Sequence, residues 1–137
     1  MSRRRPRPDD AKATARVIAD RCLATRARRL DREVTRAYNE ALRPYGITSP
    51  QLTVLVNIAL LEPVSPGALA DRIGLAKSTL TRNVQRMIQV GWVRSDGTAH
   101  DRLEDLSLSR KGETLLSEAY EGWVSAQAHA EGRLGGM

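Results

Sequence analysis

Between residues 11 and 45 the apolar positions are Val17/Ile18, Cys22/Leu23, Leu30, Val34, Ala37/Tyr38, Ala41/Leu42 and Tyr45, in steps of three, four and seven. That spacing predicts one long amphipathic helix, with Gly46 as its stop. Thr48 and Gln51 stand at capping-box spacing and Pro50 suits a first helical turn. Leu52, Leu55, Val56, Ala59 and Leu60 then fill the inner face of a second helix, up to Pro63. Ser65-Pro66 opens a short third helix, with Ala68, Leu69 and Ile73 inward and Gly74 at its end. A fourth helix, about residues 77–90, places Leu80, Val84, Met87 and Ile88 on one side and stops at Gly91. The period then becomes alternating: Trp92-Val93-Arg94 and Leu106-Ser107-Leu108 read as two short strands. The polar loop between them carries an Asp96-Gly97 turn signal. A last helix, roughly 110–131, has the stripe Leu115/Leu116, Ala119/Tyr120, Trp123 and Ala126/Gln127.

Two short helices joined by a tight Gly-containing turn, followed by a hairpin, make a helix-turn-helix with a wing. The fold class is therefore mainly α with a small β-wing. A first helix of more than thirty residues far exceeds the average of about 11–12, so half of it is expected to project from its own globule and pack on a second copy.

Charge adds chemistry to this outline. Residues 72–94 hold five basic residues (Arg72, Lys77, Arg82, Arg86 and Arg94) and no acidic one. The polar side of the fourth helix shows Lys77, Ser78, Thr79, Thr81, Arg82, Asn83, Gln85 and Arg86. Cations suit phosphates and short polar groups suit base edges, so this helix has the surface needed in a DNA major groove. The net charge of +6 is uneven. Residues 1–36 contribute +7, 37–71 contribute −2, 72–95 contribute +5 and 96–137 contribute −4. Basic character is thus confined to the N-terminal segment and one helix, the footprint of a nucleic-acid binder. The ten-residue start, MSRRRPRPDD, reads as a disordered basic arm rather than a secretory signal.

Other function classes lose ground. With no Phe and only five Trp and Tyr residues, an RNA-binding sheet lacks its stacking platform. The longest apolar run, 52–61, is too short for a bilayer, and the expected compartment is the cytoplasm. Cys22 is the single cysteine, so no intrachain disulfide forms and no cysteine-based metal site is expected. It reads as a small buried hydrophobe or as a redox-sensing thiol whose pKa Arg21 and Arg26 would lower. His100 and His129, the only histidines, have no nucleophile placed beside them, and GLAKST lacks the first part of a P-loop. No enzyme activity and no cofactor are expected.

The order long helix, GITSPQLTVL, SPGALADRIGLAKSTLTRNVQRMIQVGWVR, a wing with Asp101-Arg102, then LSLSRKGETLL resembles the MarR family of winged helix-turn-helix transcriptional regulators. The match runs from about residue 22 to 127, and STLTRNVQRM, GWVR and LSLSRKG together carry it. The resemblance implies a homodimer with interleaved first and last helices, recognition helices in successive major grooves of a pseudo-palindromic operator, and wings in the flanking minor grooves. It further implies a repressor released by a small, often aromatic ligand, or in some members by oxidation of a cysteine. Residues 11–47 and 110–137 then become dimerisation helices and 48–109 the winged helix-turn-helix. By the same resemblance Ser78, Thr79, Thr81 and Arg82 would contact bases or phosphates. Lys77 and Arg86 would meet the backbone, and Ser65 would present a helix N-terminus to a phosphate. Arg102 would enter the minor groove, and Arg94 belongs to the same basic set. A ligand pocket would lie near Arg16, Cys22, Arg26 and Tyr38.

Three departures from the family pattern stand out. The wing reads Asp101-Arg102-Leu103 where members carry Asp-Arg-Arg, and Glu104 and Asp105 follow. Ala76 occupies the N-cap position of the recognition helix, where a polar residue is usual. The sequence ends at Met137, where members continue into another helix. These departures leave open a second reading, a protein-interaction module on the same fold that has lost specific DNA binding.

Overall fold

The computed structural model describes residues 10–96 and 103–134. The chain divides into two compact units, one up to Arg36 and one from Ala37. In the first, α1 (Ala11–Arg21) opens on Asp10, whose carboxylate accepts the Ala13 N–H at 3.0 Å. The helix predicted to run unbroken from 11 to 45 is interrupted at Cys22, which is extended at φ −68°, ψ 110°. The break is one residue wide: the Cys22 N–H still bonds to Ile18 O at 2.8 Å, and Arg26 N–H still bonds to Cys22 O at 3.1 Å. The chain resumes directly as α2 (Leu23–Leu42). Ile18 and Leu23, expected to form a buried stripe with Cys22, are exposed, and Cys22 itself is half-buried.

The second unit begins within α2. A 3₁₀ turn, Arg43–Tyr45, ends at Gly46, whose left-handed φ of 73° lets its N–H reach Arg43 O. The expected capping box then starts α3 (Ser49–Leu61): Gln51 N–H donates to Thr48 Oγ1 while Gln51 Oε1 accepts the Thr48 N–H. Ser65 caps α4 (Pro66–Ile73), and Gly74 in the left-handed region closes it. The basic helix α5 (Lys77–Gln89) starts at Ala76 with no side-chain cap. Strands β1 (Val93–Ser95) and β2 (Leu106–Leu108) pair antiparallel with Val93 opposite Leu108, so the first strand lies one residue later than expected. The long α6 (Arg110–Leu134) completes the unit and extends three residues past its predicted end.

The core is assembled around α3, which packs on α4, β2 and α6, while α5 packs on α4 and β1. Leu42, Leu55, Ile58, Leu69, Leu80, Val84, Met87 and Leu106 are fully enclosed. Two inner faces differ from expectation. In α3 the buried set is Leu52, Val54, Leu55 and Ile58, whereas Val56 and Leu60 are exposed. That helix is apolar on nearly every side, so spacing alone could not choose the face. In α4 Ala70 is buried and Ala68 is exposed. The inward face of α6 is lined by small residues, Ala119, Gly122, Ala126 and Ala130, and Tyr120 and Trp123 lie exposed outside it.

Candidate nucleic-acid interface

The helix-turn-helix is set by three local features. Leu69 and Ala70 anchor α4, the left-handed Gly74 reverses the chain, and Leu80, Val84 and Met87 seat α5 on the core. Burying positions 80, 84 and 87 turns the opposite side of α5 outward. Lys77, Ser78, Thr79, Arg82, Gln85, Arg86 and Gln89 are exposed there, and Thr81 and Asn83 are half-buried at its margins. Among the described residues from Arg72 to Arg94 there is no acidic side chain, so nothing on this face offsets its cations.

Most of the predicted site residues fall on one unit but not on one face. Lys77, Ser78, Thr79, Arg82 and Arg86 share the outer side of α5, and Thr81 is drawn partly inward. The Ser65 hydroxyl accepts the Ala68 N–H at 3.2 Å, leaving the start of α4 capped and exposed. Arg94 is exposed on β1, its guanidinium reaching Leu108 O at 3.5 Å. Arg102 and its neighbour Asp101 lie outside the described residues, as do His100, Gly97 and the basic arm up to Asp9. The contacts expected from sequence do not include Gln85 and Gln89, which lie on the same row as Ser78 and Arg82 at steps of four, three and four. That spacing was available in the sequence, and glutamine is a base-reading side chain for adenine.

The predicted ligand residues are divided between the units. Arg16, Cys22 and Arg26 belong to the first, Tyr38 to the second, where its hydroxyl donates to Gln127 Oε1. The Thr25 hydroxyl and N–H lower the Cys22 thiol below the ordinary cysteine range, with a smaller contribution from the Ala24 N–H and partial opposition from desolvation. Elsewhere in the second unit a groove of about 760 Å³ opens between α3 and α6. Leu52, Val56, Leu116, Tyr120 and Trp123 give it apolar walls, and Thr53, Asn57 and Ser117 add polar groups. Tyr120 and Trp123 stack with ring centroids 5.9 Å apart. Among the described residues no cluster of three or more His, Cys, Asp or Glu side chains could hold a metal ion, and no helix is long and apolar enough to cross a membrane.

Comparison with known proteins places this architecture. Residues 45–102 match the model of the MarR family. The crystal structure of the M. tuberculosis transcriptional regulator MosR superposes with a TM-score of 0.74 at 34% identity, covering 83% of each chain. MosR in complex with DNA gives 0.71 at 35% identity, over 79% of this chain and 83% of that one. Apo MarR from E. coli shares the fold, with a TM-score of 0.69 at 21% identity over 81% of this chain and 84% of its own. An uncharacterised helix-turn-helix transcriptional regulator of Bacillus subtilis, YwoH, is 25% identical over 87 residues, 64% of each sequence. The chain therefore belongs to the MarR family of winged helix-turn-helix transcriptional regulators.

Proposed function

We propose that this chain is a homodimeric, sequence-specific DNA-binding repressor whose hold on its operator is released by a small ligand. The observation that carries the reading is the outer face of α5, an exposed row of Ser78, Arg82, Gln85 and Gln89 flanked by Lys77 and Arg86, on a helix fixed from behind by three enclosed apolar residues. The DNA-bound state of MosR, 35% identical, supports placing that face in a major groove. The exposed apolar residues Leu60, Tyr120, Trp123 and Val124 support a second copy as partner. Residues 11–47 and 110–137 would be the dimerisation helices, with cytoplasmic DNA as the target. The α3–α6 groove, with its aromatic wall and few polar groups, suits a small aromatic effector. The test is fluorescence anisotropy with DNA from upstream of the gene and a scrambled duplex, each across a salt series. Tight, selective binding at two chains per site is expected. Equal, weak binding to both duplexes that vanishes with salt would favour the interaction-module reading instead.

A second reading, oxidation sensing, is favoured by the half-buried Cys22 at the break between α1 and α2, whose thiol pKa is lowered chiefly through Thr25. The thiolate sulfur would attack the O–O bond of a peroxide, forming a sulfenic acid and releasing the second oxygen as water or alcohol. A lowered pKa keeps the reactive form present at lower pH, so the pH midpoint of alkylation should lie below the free thiol's value of about 8.5. Thr25→Val should move the midpoint up. Alkylation that follows a free thiol, unchanged by Thr25→Val, would remove this reading.

A further inference from the structure

The segment Ser109-Arg110-Lys111-Gly112 contributes nothing to the DNA-facing side of α5, yet it takes hold of that helix's end. The chain leaves α5 through Gly91, at φ 85°, presenting three consecutive carbonyls, those of Val90, Gly91 and Trp92. Each is met by the 109–111 segment. Lys111 Nζ donates to Val90 O at 3.0 Å, the Ser109 hydroxyl donates to Gly91 O, and the Ser109 N–H donates to Trp92 O at 3.0 Å. The same hydroxyl accepts the Gly112 N–H at 3.0 Å and so caps α6. One side chain therefore caps one helix while holding the end of the other.

We infer that Ser109 and Lys111 are positioning residues for DNA recognition: they clasp the C-cap and the turn that follows α5 to the start of α6 and fix how the recognition face is presented. The inference rests on the DNA-binding reading above. The last carbonyls of α5 itself, on Arg86, Met87 and Ile88, accept from the N–H groups of Val90, Trp92 and Gly91, which leaves the carbonyls of the turn beyond to other donors, and on an exposed turn water normally serves them. Here a neighbouring helix serves them instead, one through a cationic donor that also complements the negative end of the helix dipole. The clasp has almost no slack, because a Cβ at Gly112 would stand 2.1 Å from Trp92 O.

Three variants separate holding from folding. Ser109→Asp keeps an acceptor for the Gly112 N–H but has no proton for Gly91 O. Lys111→Met keeps the apolar stem and removes the donor. Ser109→Thr keeps both functions and is the rescue control. Each full-length variant is tested by anisotropy on the upstream duplex and on its scrambled counterpart, across one shared salt series and well below its own melting temperature. The clasp predicts that Ser109→Asp and Lys111→Met lower the ratio of the two affinities at least about tenfold, the size of one lost base contact, while affinity for the scrambled duplex and the salt slope persist. Ser109→Thr keeps the wild-type ratio. Wild-type ratios in both other variants, whatever their melting temperatures, would overturn the positioning role. A ratio of one in the wild-type protein would instead overturn the DNA-recognition reading on which it rests.

Discussion

Gly112 and Gly122 lack side chains because of what lies against them. Neither is in the left-handed region; both are helical and buried in α6. A Cβ at 112 would meet Trp92 O at 2.1 Å, and one at 122 would meet the Tyr45 ring at 2.6 Å and Ala41 O at 2.9 Å. In an open helix, glycine to alanine gains about 0.5–1 kcal/mol. Gly132, with nothing within 4 Å, should show that gain as Gly132→Ala. For Gly112→Ala the obstacle is backbone, which cannot rotate away, and overpacking costs of about 1–3 kcal/mol or more should outweigh the gain. Urea denaturation should therefore move the two midpoints in opposite directions, and equal shifts would refute the close approach. On the DNA side, Arg82→Ala should cost about 1–3 kcal/mol of operator binding and relax specificity if the side chain reads a base. An equal loss on random DNA would reduce Arg82 to a phosphate contact. The exposed polar side of α5 was legible because its spacing against Leu80, Val84 and Met87 is local. The close approaches at Gly112 and Gly122 were not, since each joins residues far apart in sequence.

At the scale of elements, sequence reasoning succeeded where a boundary is written in a few adjacent residues. The Thr48/Gln51 box, the Ser65 cap and the stops at Gly46, Gly74 and Gly91 all fall where local chemistry placed them. It failed where the signal is absent or diluted. No Gly or Pro marks the break at Cys22. The run from Leu52 to Leu61 is too uniformly apolar to show which face is buried. In α6 small residues line the buried side and the eye is drawn to Trp123 outside it. The uncapped start of α5 yields a prediction at this scale. Ala76 already has the extended backbone of an N-cap, φ −64° and ψ 140°, but offers no acceptor to the first turn. Ala76→Ser supplies one without moving the chain. It should raise unfolding stability by about 1 kcal/mol. Thr48→Ala, removing an existing cap, should lower it by a similar amount, read from chemical denaturation of both variants.

For the whole molecule the question is how the proposed DNA-reading face of one short helix would acquire selectivity. A single α5 spans 13 residues and about 20 Å, which limits it to a few base pairs. Two copies on one duplex double the contacts without doubling the entropy lost, since the second helix binds as part of an assembly already formed. The chain has the surface for such an assembly. Leu60, Tyr120, Trp123 and Val124 expose apolar area on α3 and α6 that its own second unit leaves uncovered. A tryptophan in such a patch is the residue type most able to dominate an interface, with truncation costing about 2 kcal/mol or more. Trp123→Lys should therefore raise the dimer dissociation constant at least about thirtyfold in sedimentation equilibrium, with helix content unchanged. Trp123 is remote in sequence from α5 and lies outside its polar face, so direct loss of a DNA contact would not account for weaker binding. If dimerisation supplies the selectivity, operator affinity at low protein concentration falls with dimer content and recovers as concentration is raised. Scrambled-duplex affinity per chain, carried by phosphate contacts, stays nearly constant. A variant that remains dimeric, or a monomer that still selects the operator with wild-type affinity, would show that selectivity resides in one helix alone.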